Sequence, residues 1–439
     1  NEFNALIGGL YGKQSGLGGL VEDLGELQYA SEEEGQDTAG QSDVQVSSLQ
    51  DMAEEAPVVR LVNSILAQAV RENASDVHIS PEKNAVQLRF RVDGKLQEVP
   101  APPKNMHLAV VSRLKILANM DIATTRIPQD GRFTLNMDQK EINVRVSCLP
   151  TIYGENLVMR LLDMSSGALT LAQLGMNKLD KKHVHSIMHK PYGMILSTGP
   201  TGSGKSTTLY AILQEINKTD INILTLEDPV EYRIPKIRQA QLNRKAGMTF
   251  ASGLRSALRQ DPDVVMVGEI RDHETANIAV QAALTGHRLL STVHTNDAAG
   301  VITRFIDMGI EPFLVSSVLL ASIAQRLIRR VCPYCKESYE PDEKILKFWG
   351  LDQVQNANFQ RGKGCYQCND TGYKGRIGIY EVLVNDETIQ DMILRRNSAQ
   401  EITRAAKKAG KLRTLKEDAA LKIAQGITTI EEATAGVMV

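Results

Sequence analysis

The sequence contains no stretch apolar enough to cross a bilayer. Its most hydrophobic window, PFLVSSVLLASIAQRLIRR at 312–330, is broken by serines and closes on arginines. That falls short of the roughly 18 uninterrupted apolar residues a spanning helix needs, so a buried helix is expected there instead. The chain opens at Asn1 with no basic head followed by an apolar run. No signal peptide is therefore expected, and the sequence reads as part of a longer cytosolic chain. An excess of one charge is also missing: the formal net charge is −2 and the pI about 6.5. Without a global basic field, nucleic acid is not expected as the main partner, nor an acidic membrane. Cysteine is scarce, with five in 439 residues, and a cytosolic setting argues against structural disulfides. Cys148 stands alone at the end of an alternating pattern, where a small buried hydrophobe is expected rather than a nucleophile. The remaining composition, 42% hydrophobic and 23% charged, is that of an ordinary globular chain long enough for two to four domains.

The chain changes character along its length. Residues 1–55 pass from a glycine-dotted apolar start to SEEEGQDTAGQSD, a stretch too polar to repay the cost of ordering, and are expected to be a partial N-terminal segment and an acidic linker. From Pro57, apolar residues Val58, Leu61, Ile65, Leu66 and Ala69 recur at helical spacing, and proline suits a first helical turn. AVQLRFRVDGKL alternates up to Asp93-Gly94, a hairpin-turn dipeptide, and EINVRVSCL alternates through Ile142, Val144, Val146 and Cys148. Residues 56–167 are therefore expected to form an α+β domain. The non-core faces of its strands carry Arg89, Arg91, Asn143 and Arg145 beside RIPQDGR with Arg126 and Arg132, an arginine-rich surface whose plain reading is a solvated face.

Short, nearly continuous apolar runs follow, GMILSTG, INILTLED, DVVMVGE and HRLLSTVHT, separated by helical stretches. Such runs are expected of buried parallel strands, and they place an α/β domain at 168–330. Residues 331–376 carry four cysteines, and 377–439 are charged with helical period, as a helical bundle would be.

GPTGSGKST, Gly199 to Thr207, fits the phosphate-loop pattern between a strand and a helix. Such a loop wraps backbone N–H groups around phosphate oxygens, so glycines at 199, 202 and 204 leave room where the chain turns, and Thr201, Ser203 and Thr207 complete the cradle. Lys205 would reach the β- and γ-phosphates of ATP, and Ser206 the Mg²⁺. Hydrolysis also needs a carboxylate. Glu269 closes VVMVGE, although Gly268 stands where many such motifs carry aspartate; Glu227 and Asp228, closing ILTLED, are then expected to hold the metal. His294 ends a further strand at the same sheet edge, where a γ-phosphate contact and a structural role both remain open.

Cys332, Cys335, Cys365 and Cys368 form two C-x₂-C pairs separated by 29 residues, longer than the common ribbon spacer of about 15 to 20. One tetrahedral, closed and therefore structural zinc site is expected, against redox pairs or free thiols as alternatives.

Together these residues resemble the hexameric secretion ATPases of type II secretion and type IV pilus assembly. ASDVHISP, RIPQDGR, GPTGSGKSTTLY, LTLEDPVEY, LRQDPDVVMVGEIRD, TGHRLLSTVHTND and the cysteine pairs occur in that family's order from about residue 56 onward. The resemblance implies a RecA-like P-loop ATPase domain, with 56–167 as the second N-terminal domain, a four-cysteine zinc subdomain and a C-terminal helical region. It assigns Lys205 and Ser206 to the phosphate loop, Glu227 to the aspartate box, Glu269 to the Walker B position and His294 to the histidine box. It also implies that arginines of the N-terminal domain, with Arg126, Arg132 and Arg145 as candidates, approach nucleotide between subunits. The implied partners are further copies of the chain in a hexamer and inner-membrane platform proteins. VQAALTGH and MGIEPFLVSSVLL look more like the type II secretion branch, and the cysteine pairs point away from retraction motors. The competing expectations are a zinc-bearing nucleic-acid translocase and a nucleotide-sensing scaffold without turnover.

Overall fold

A computed structural model describes residues 28–30, 50–164, 167, 169–354 and 357–437. The chain divides into two compact units, Asn1–Ser166 and Gly167–Val439. The expected N-terminal segment and linker lie outside the described residues, apart from 28–30 and 50–55.

The first unit is built on period-two alternation. Its strands are β1 (Gln28–Ala30), β2 (Asp76–Pro81), β3 (Val86–Val92), β4 (Lys95–Val99), β5 (Gln129–Met137), β6 (Lys140–Thr151) and β7 (Gly154–Asp163). They form one antiparallel sheet in the order β1-β5-β6-β7-β2-β3-β4. The alternating residues Val86, Leu88, Phe90, Ile142, Val144 and Val146 are buried under helices α1 (Ala56–Arg71) and α2 (His107–Leu117). Asp93 and Gly94 have φ of 49° and 86°, the left-handed pair that matches the twist of a two-residue hairpin. In RIPQDGR, Gly131 has a steric cause: a Cβ there would lie 2.2 Å from the Ala118 carbonyl oxygen at the end of α2.

Cys148 is buried as expected, but beside a charged pair. Its thiol donates to Glu155 Oε1 at 3.2 Å, and Glu155 in turn meets the buried Lys115 ammonium at 2.6 Å. Burial, then the bond and charge of Glu155, push the Cys148 thiol up to about 12, which removes it from nucleophilic chemistry.

The second unit begins with α3 (Lys178–Met188), then β8 (Gly193–Thr198), α4 (Lys205–Ile216), β9 (Ile223–Glu227), β10 (Arg238–Gln241), α5 (Phe250–Ala257) and β11 (Val264–Val267). It continues with α6 (His273–Leu284), β12 (Arg288–Val293), α7 (Gly300–Asp307), α8 (Pro312–Val318), β13 (Leu319–Val331) and β14 (Lys336–Ser338). The last elements are α9 (Glu343–Trp349), β15 (Gln360–Gly362), β16 (Tyr373–Val384) and helices α10 (Glu387–Leu394), α11 (Ala399–Lys408), α12 (Leu415–Ala424) and α13 (Ile430–Val437). The large sheet runs β10-β9-β11-β12-β8-β13-β16, parallel through β13 and antiparallel at its β16 edge. The four apolar runs are the strands β8, β9, β11 and β12, each buried on both faces, with α3 and α4 on one core and α5 to α8 on the other. That double burial is why these strands read as continuous rather than alternating.

One expectation fails. The window at 312–330 is not one buried helix: α8 ends at Val318 and residues 319–331 are β13, wedged between β8 and β16. An apolar run covered on every side carries no period to separate helix from strand, and here neighbouring strands supply the ladder partners. The C-terminal helices begin after β16, which pairs with β13 and continues to Val384, and α10 to α13 pack into the same core as β8 and β12. No described helix is long and apolar enough to cross a membrane.

Candidate nucleotide site and thiolate centre

β8 delivers the chain into the loop 199–204, and α4 starts at Lys205. Gly199, Gly202 and Gly204 have φ of 143°, 77° and 87°, which side-chain-bearing residues resist. A Cβ on Gly199 would also sit 2.4 Å from the Gln325 carbonyl oxygen. No side chain caps α4, so its first amides and its positive dipole end stay open toward the loop. Ser206 and Thr201 are exposed, Thr207 half-buried, and Ser203 buried beneath the loop. Lys205 Nζ donates to the carbonyls of Gly199 at 2.8 Å and Pro200 at 2.9 Å. Burial pushes this ammonium down to about 8; the Glu269 carboxylate opposes the shift and the Arg326 guanidinium adds to it.

Glu269 follows β11 at the same sheet edge, fixed by its neighbours. The Gly268 amide donates to Leu226 O at 2.7 Å and the Ile270 amide to Thr292 O at 3.0 Å. A side chain at 268 would press on the Leu226 carbonyl at 3.2 Å and the Phe250 ring at 3.3 Å, so glycine suits the position where aspartate is common. Glu269 Oε2 pairs with Arg271 Nε at 2.7 Å and lies 3.9 Å from His294 Nε2. Burial, then the Lys205 charge, hold the His294 pKa below the usual imidazole range, with Glu269 opposing. The segment carrying His294 is tied to the phosphate-loop strand: the Thr295 amide donates to Thr198 Oγ1 at 2.7 Å, and the two hydroxyls are 2.7 Å apart. The structure thus brings Lys205, Glu269 and His294 into one electrostatically coupled group.

Glu227 has other partners. Its carboxylate is 4% exposed and accepts bonds from Tyr210 on α4, from Thr225 at 2.5 Å and from Gln239 at 3.2 Å. Burial raises its pKa against the pull of those three bonds. Such a socket holds α4 against β9 and leaves little of the carboxylate for a solvated cation. Asp228 pairs with Arg244 at 2.5 Å.

In the first unit, cross-strand register sets Arg132, Arg145, Arg160, Asp76 and Arg91 in one row across β5, β6, β7, β2 and β3. Asp76 meets Arg160 at 3.0 Å and Arg91 at 3.5 Å. Arg126 is exposed in the segment before β5 and is not in that row. Arg160 was not singled out from the sequence, although its place in the alternation of β7 was a usable signal. Gln325 and Arg326 were also missed, because the stretch holding them was read as helix. Gln325 Nε2 donates to Ser203 O at 2.7 Å and its Oε1 accepts from Ser197 at 3.3 Å, so β13 props the phosphate loop from beneath.

The four cysteine sulfurs lie within 4.8 Å of one another. Cys332–Cys365 and Cys335–Cys368 are 3.9 Å apart and Cys365–Cys368 3.6 Å. Four thiolates at about 2.3 Å from a tetrahedral zinc would stand about 3.8 Å apart, so the donor set fits that metal. The amides of Cys365 and Gly372 each approach Cys368 Sγ at 3.3 Å, as suits a thiolate. The long spacer is explained by topology. Val331, at the end of β13, pairs with Tyr373 at the start of β16, so both cysteine pairs sit at the end of one ladder whatever lies between them.

A phosphate loop at the carboxyl end of a parallel sheet, with a carboxylate and a histidine converging on its lysine, defines a P-loop ATPase. Residues 51–435 match the family described as Type II/IV secretion system protein, and the chain belongs to that family. It is 50% identical over 388 residues to type II secretion system protein E of Pseudomonas aeruginosa, covering 88% of this chain and 77% of that one. It is 48% identical to type II secretion system ATPase E of Vibrio cholerae over the same shares. Against the type IV pilus assembly ATPase PilB of Thermus thermophilus it is 47% identical, over 86% of this chain and 43% of that one. Among solved structures, the Legionella pneumophila ATPase DotB superposes with a TM-score of 0.63 at 22% identity, covering 85% of this chain and 94% of that one. The pilus retraction motor PilT with bound ADP gives 0.57 at 25% identity, covering 84% and 95%.

Proposed function

We propose that this chain is a motor ATPase that works as a homohexamer on inner-membrane platform proteins at the cytoplasmic face. Hydrolysis there drives assembly of a pilin-like filament, in the manner of type II secretion rather than pilus extension. The reading rests on one observation above all, the convergence of Lys205, Glu269 and His294 at the mouth of the phosphate loop.

The loop amides of residues 199–207 and Lys205 receive the phosphates of ATP, and Ser206 offers its hydroxyl to Mg²⁺. That ion, when bound, would supply charge neutralisation to the phosphates. Glu269, partly buried and paired with Arg271, is the carboxylate placed to orient the attacking water and take its proton. His294, kept neutral, donates to the γ-phosphate as negative charge moves toward the leaving oxygen. Glu227 acts at one remove: its bond to Tyr210 fixes the second turn of α4 and hence the loop before it. Arg132 and Arg145, in the first unit's arginine row, together with Arg126, serve nucleotide held by a neighbouring subunit. Cys332, Cys335, Cys365 and Cys368 would hold one Zn²⁺, which with four protein ligands would serve structure rather than chemistry.

Steady-state phosphate release and equilibrium ATP binding test the site. Lys205→Ala is expected to lose both. Glu269→Gln is expected to keep binding and to lose turnover by a factor on the order of 10² to 10³. Wild-type turnover in both variants would defeat the assignment.

A further inference from the structure

Arg326 lies on β13, one residue beyond the glutamine that props the phosphate loop, and its surroundings are unusual for a guanidinium. The residue is 7% exposed. Among the described residues its Nε has no hydrogen-bond partner, and its Nη2 reaches Asn296 Oδ1 only at a long 3.5 Å. Among the described residues no carboxylate pairs with it, and burial alone lowers its pKa. An arginine cannot escape burial by losing its proton, so a buried guanidinium without an anion is a standing cost to the fold. The nearby charge does not relieve it: the Arg326 guanidinium adds to the lowering of the Lys205 pKa.

From this geometry we infer that the counter-ion of Arg326 is the phosphate chain of nucleotide bound in its own phosphate loop, so that Arg326 is a phosphate-binding residue supplied in cis. The inference rests on the nucleotide site proposed above and adds a second cation to it. Position supports it on three counts. Gln325 bonds the Ser203 carbonyl at 2.7 Å, and Leu327 carbons lie 3.6 Å and 3.7 Å from where a Gly204 Cβ would stand, so β13 runs alongside the loop here, and by strand alternation the Arg326 side chain leaves its opposite face, toward Asn296. Asn296, its weak partner, follows His294 by two residues and is itself exposed at the sheet edge. A fork of N–H donors there suits phosphate oxygens better than a single ammonium would. A polyphosphate bound there would offset the like charges of Lys205 and Arg326, and a nucleoside would not.

This reasoning gives the two readouts opposite signs. Arg326→Gln removes an uncompensated charge, so the nucleotide-free protein is expected to melt at the same temperature or higher. Its affinity for ATP, and for pyrophosphate used as a probe of the phosphate contacts alone, is expected to fall about tenfold to a hundredfold. Arg326→Lys should recover part of the loss. The nucleotide-dependent rise in melting temperature should shrink in Arg326→Gln and be absent in Lys205→Ala. Unchanged ATP and pyrophosphate affinity in Arg326→Gln would overturn the inference, as would a lower melting temperature with affinity intact, which marks a structural tie to Asn296. A defect confined to self-assembly with ATP affinity intact would also overturn it, since the counter-ion would then be a carboxylate of another copy. Wild-type binding by Lys205→Ala would instead sink the underlying site, so the two failures are distinguishable.

Discussion

The thiolate centre and the nucleotide site are both made of a few polar side chains, yet they are assembled by different means. All four sulfurs come from two knuckles at the end of one ladder, β13 against β16. The nucleotide site draws on the ends of β8, β11 and β12 and on the middle of β13. The first is expected to be lost as a unit without disturbing the second. In the second, Lys205 feels Glu269 and Arg326, and His294 feels Lys205 and Glu269. A closed site is a matter of ligand spacing, and an open one depends on strand order.

The largest expected effect breaks the first half of that contrast. Cys332→Ser, or removal of metal by a chelator, should release one zinc per chain and melt the segment 332–372 as a separate, earlier transition. ATP affinity at Lys205 should stay within about twofold, since the two sites share no side chain. A joint collapse of zinc content and ATP binding in calorimetry and metal analysis would show that the sites are one unit.

A smaller effect tests where the nucleotide site ends. Glu227→Gln weakens bonds to Tyr210, Thr225 and Gln239, and each such bond is worth about 1 kcal/mol. The expected result is a stability loss of about 1–2 kcal/mol and a fall in kcat of about tenfold at unchanged Mg²⁺ requirement. A loss as deep as that of Glu269→Gln, with a raised Mg²⁺ requirement, would make Glu227 a metal ligand instead.

The smallest effect concerns how the C-terminal helices dock. Asp180 on α3 and Asp418 on α12 are both wholly buried, with the buried Lys422 ammonium on Asp418 at 2.5 Å and Asn177 bonded to both carboxylates. Burial, then the Asp418 charge, push the Asp180 carboxyl up to about 7, against the pull of Asn177, Arg413 and Lys422. A raised carboxyl pKa favours the folded state when protonated. Its contribution is complete below the ordinary aspartate value of 3.8 and is lost as pH rises through about 7. Asp180→Asn should therefore flatten the decline in Tm between those pH values and raise stability at pH 8 by about 1–2 kcal/mol. An unchanged pH slope would mean that Asp180 does not titrate across that range.

Much of this was legible in the sequence because the physical constraint was local. Gly199, Gly202 and Gly204 are dictated by backbone turns within six residues, Asp93-Gly94 by one hairpin, and the cysteine pairs by the reach of a metal ion. The alternation of β3 and β6 and the continuous runs of β8, β9, β11 and β12 follow from how many faces are buried. Where the constraint was distant, reading failed. LLASIAQRLIRRV is a strand because β8 and β16 complete its ladder, and no residue within it says so. With that strand went Gln325 and Arg326, and with strand pairing went the alignment of Arg160 with Arg145. Glu227 and Glu269 look alike as strand-ending carboxylates, yet Tyr210, Thr225 and Gln239 enclose one while Arg271 and His294 flank the other.

The sequence by itself determined which chemical groups are present and which short backbone shapes they ride on, because dihedral sterics and ligand spacing act over a few residues. Only the tertiary structure decided which groups meet, which are enclosed and which charge is left without a partner. Those outcomes depend on desolvation and on strand order, and both are properties of residues far apart in the chain.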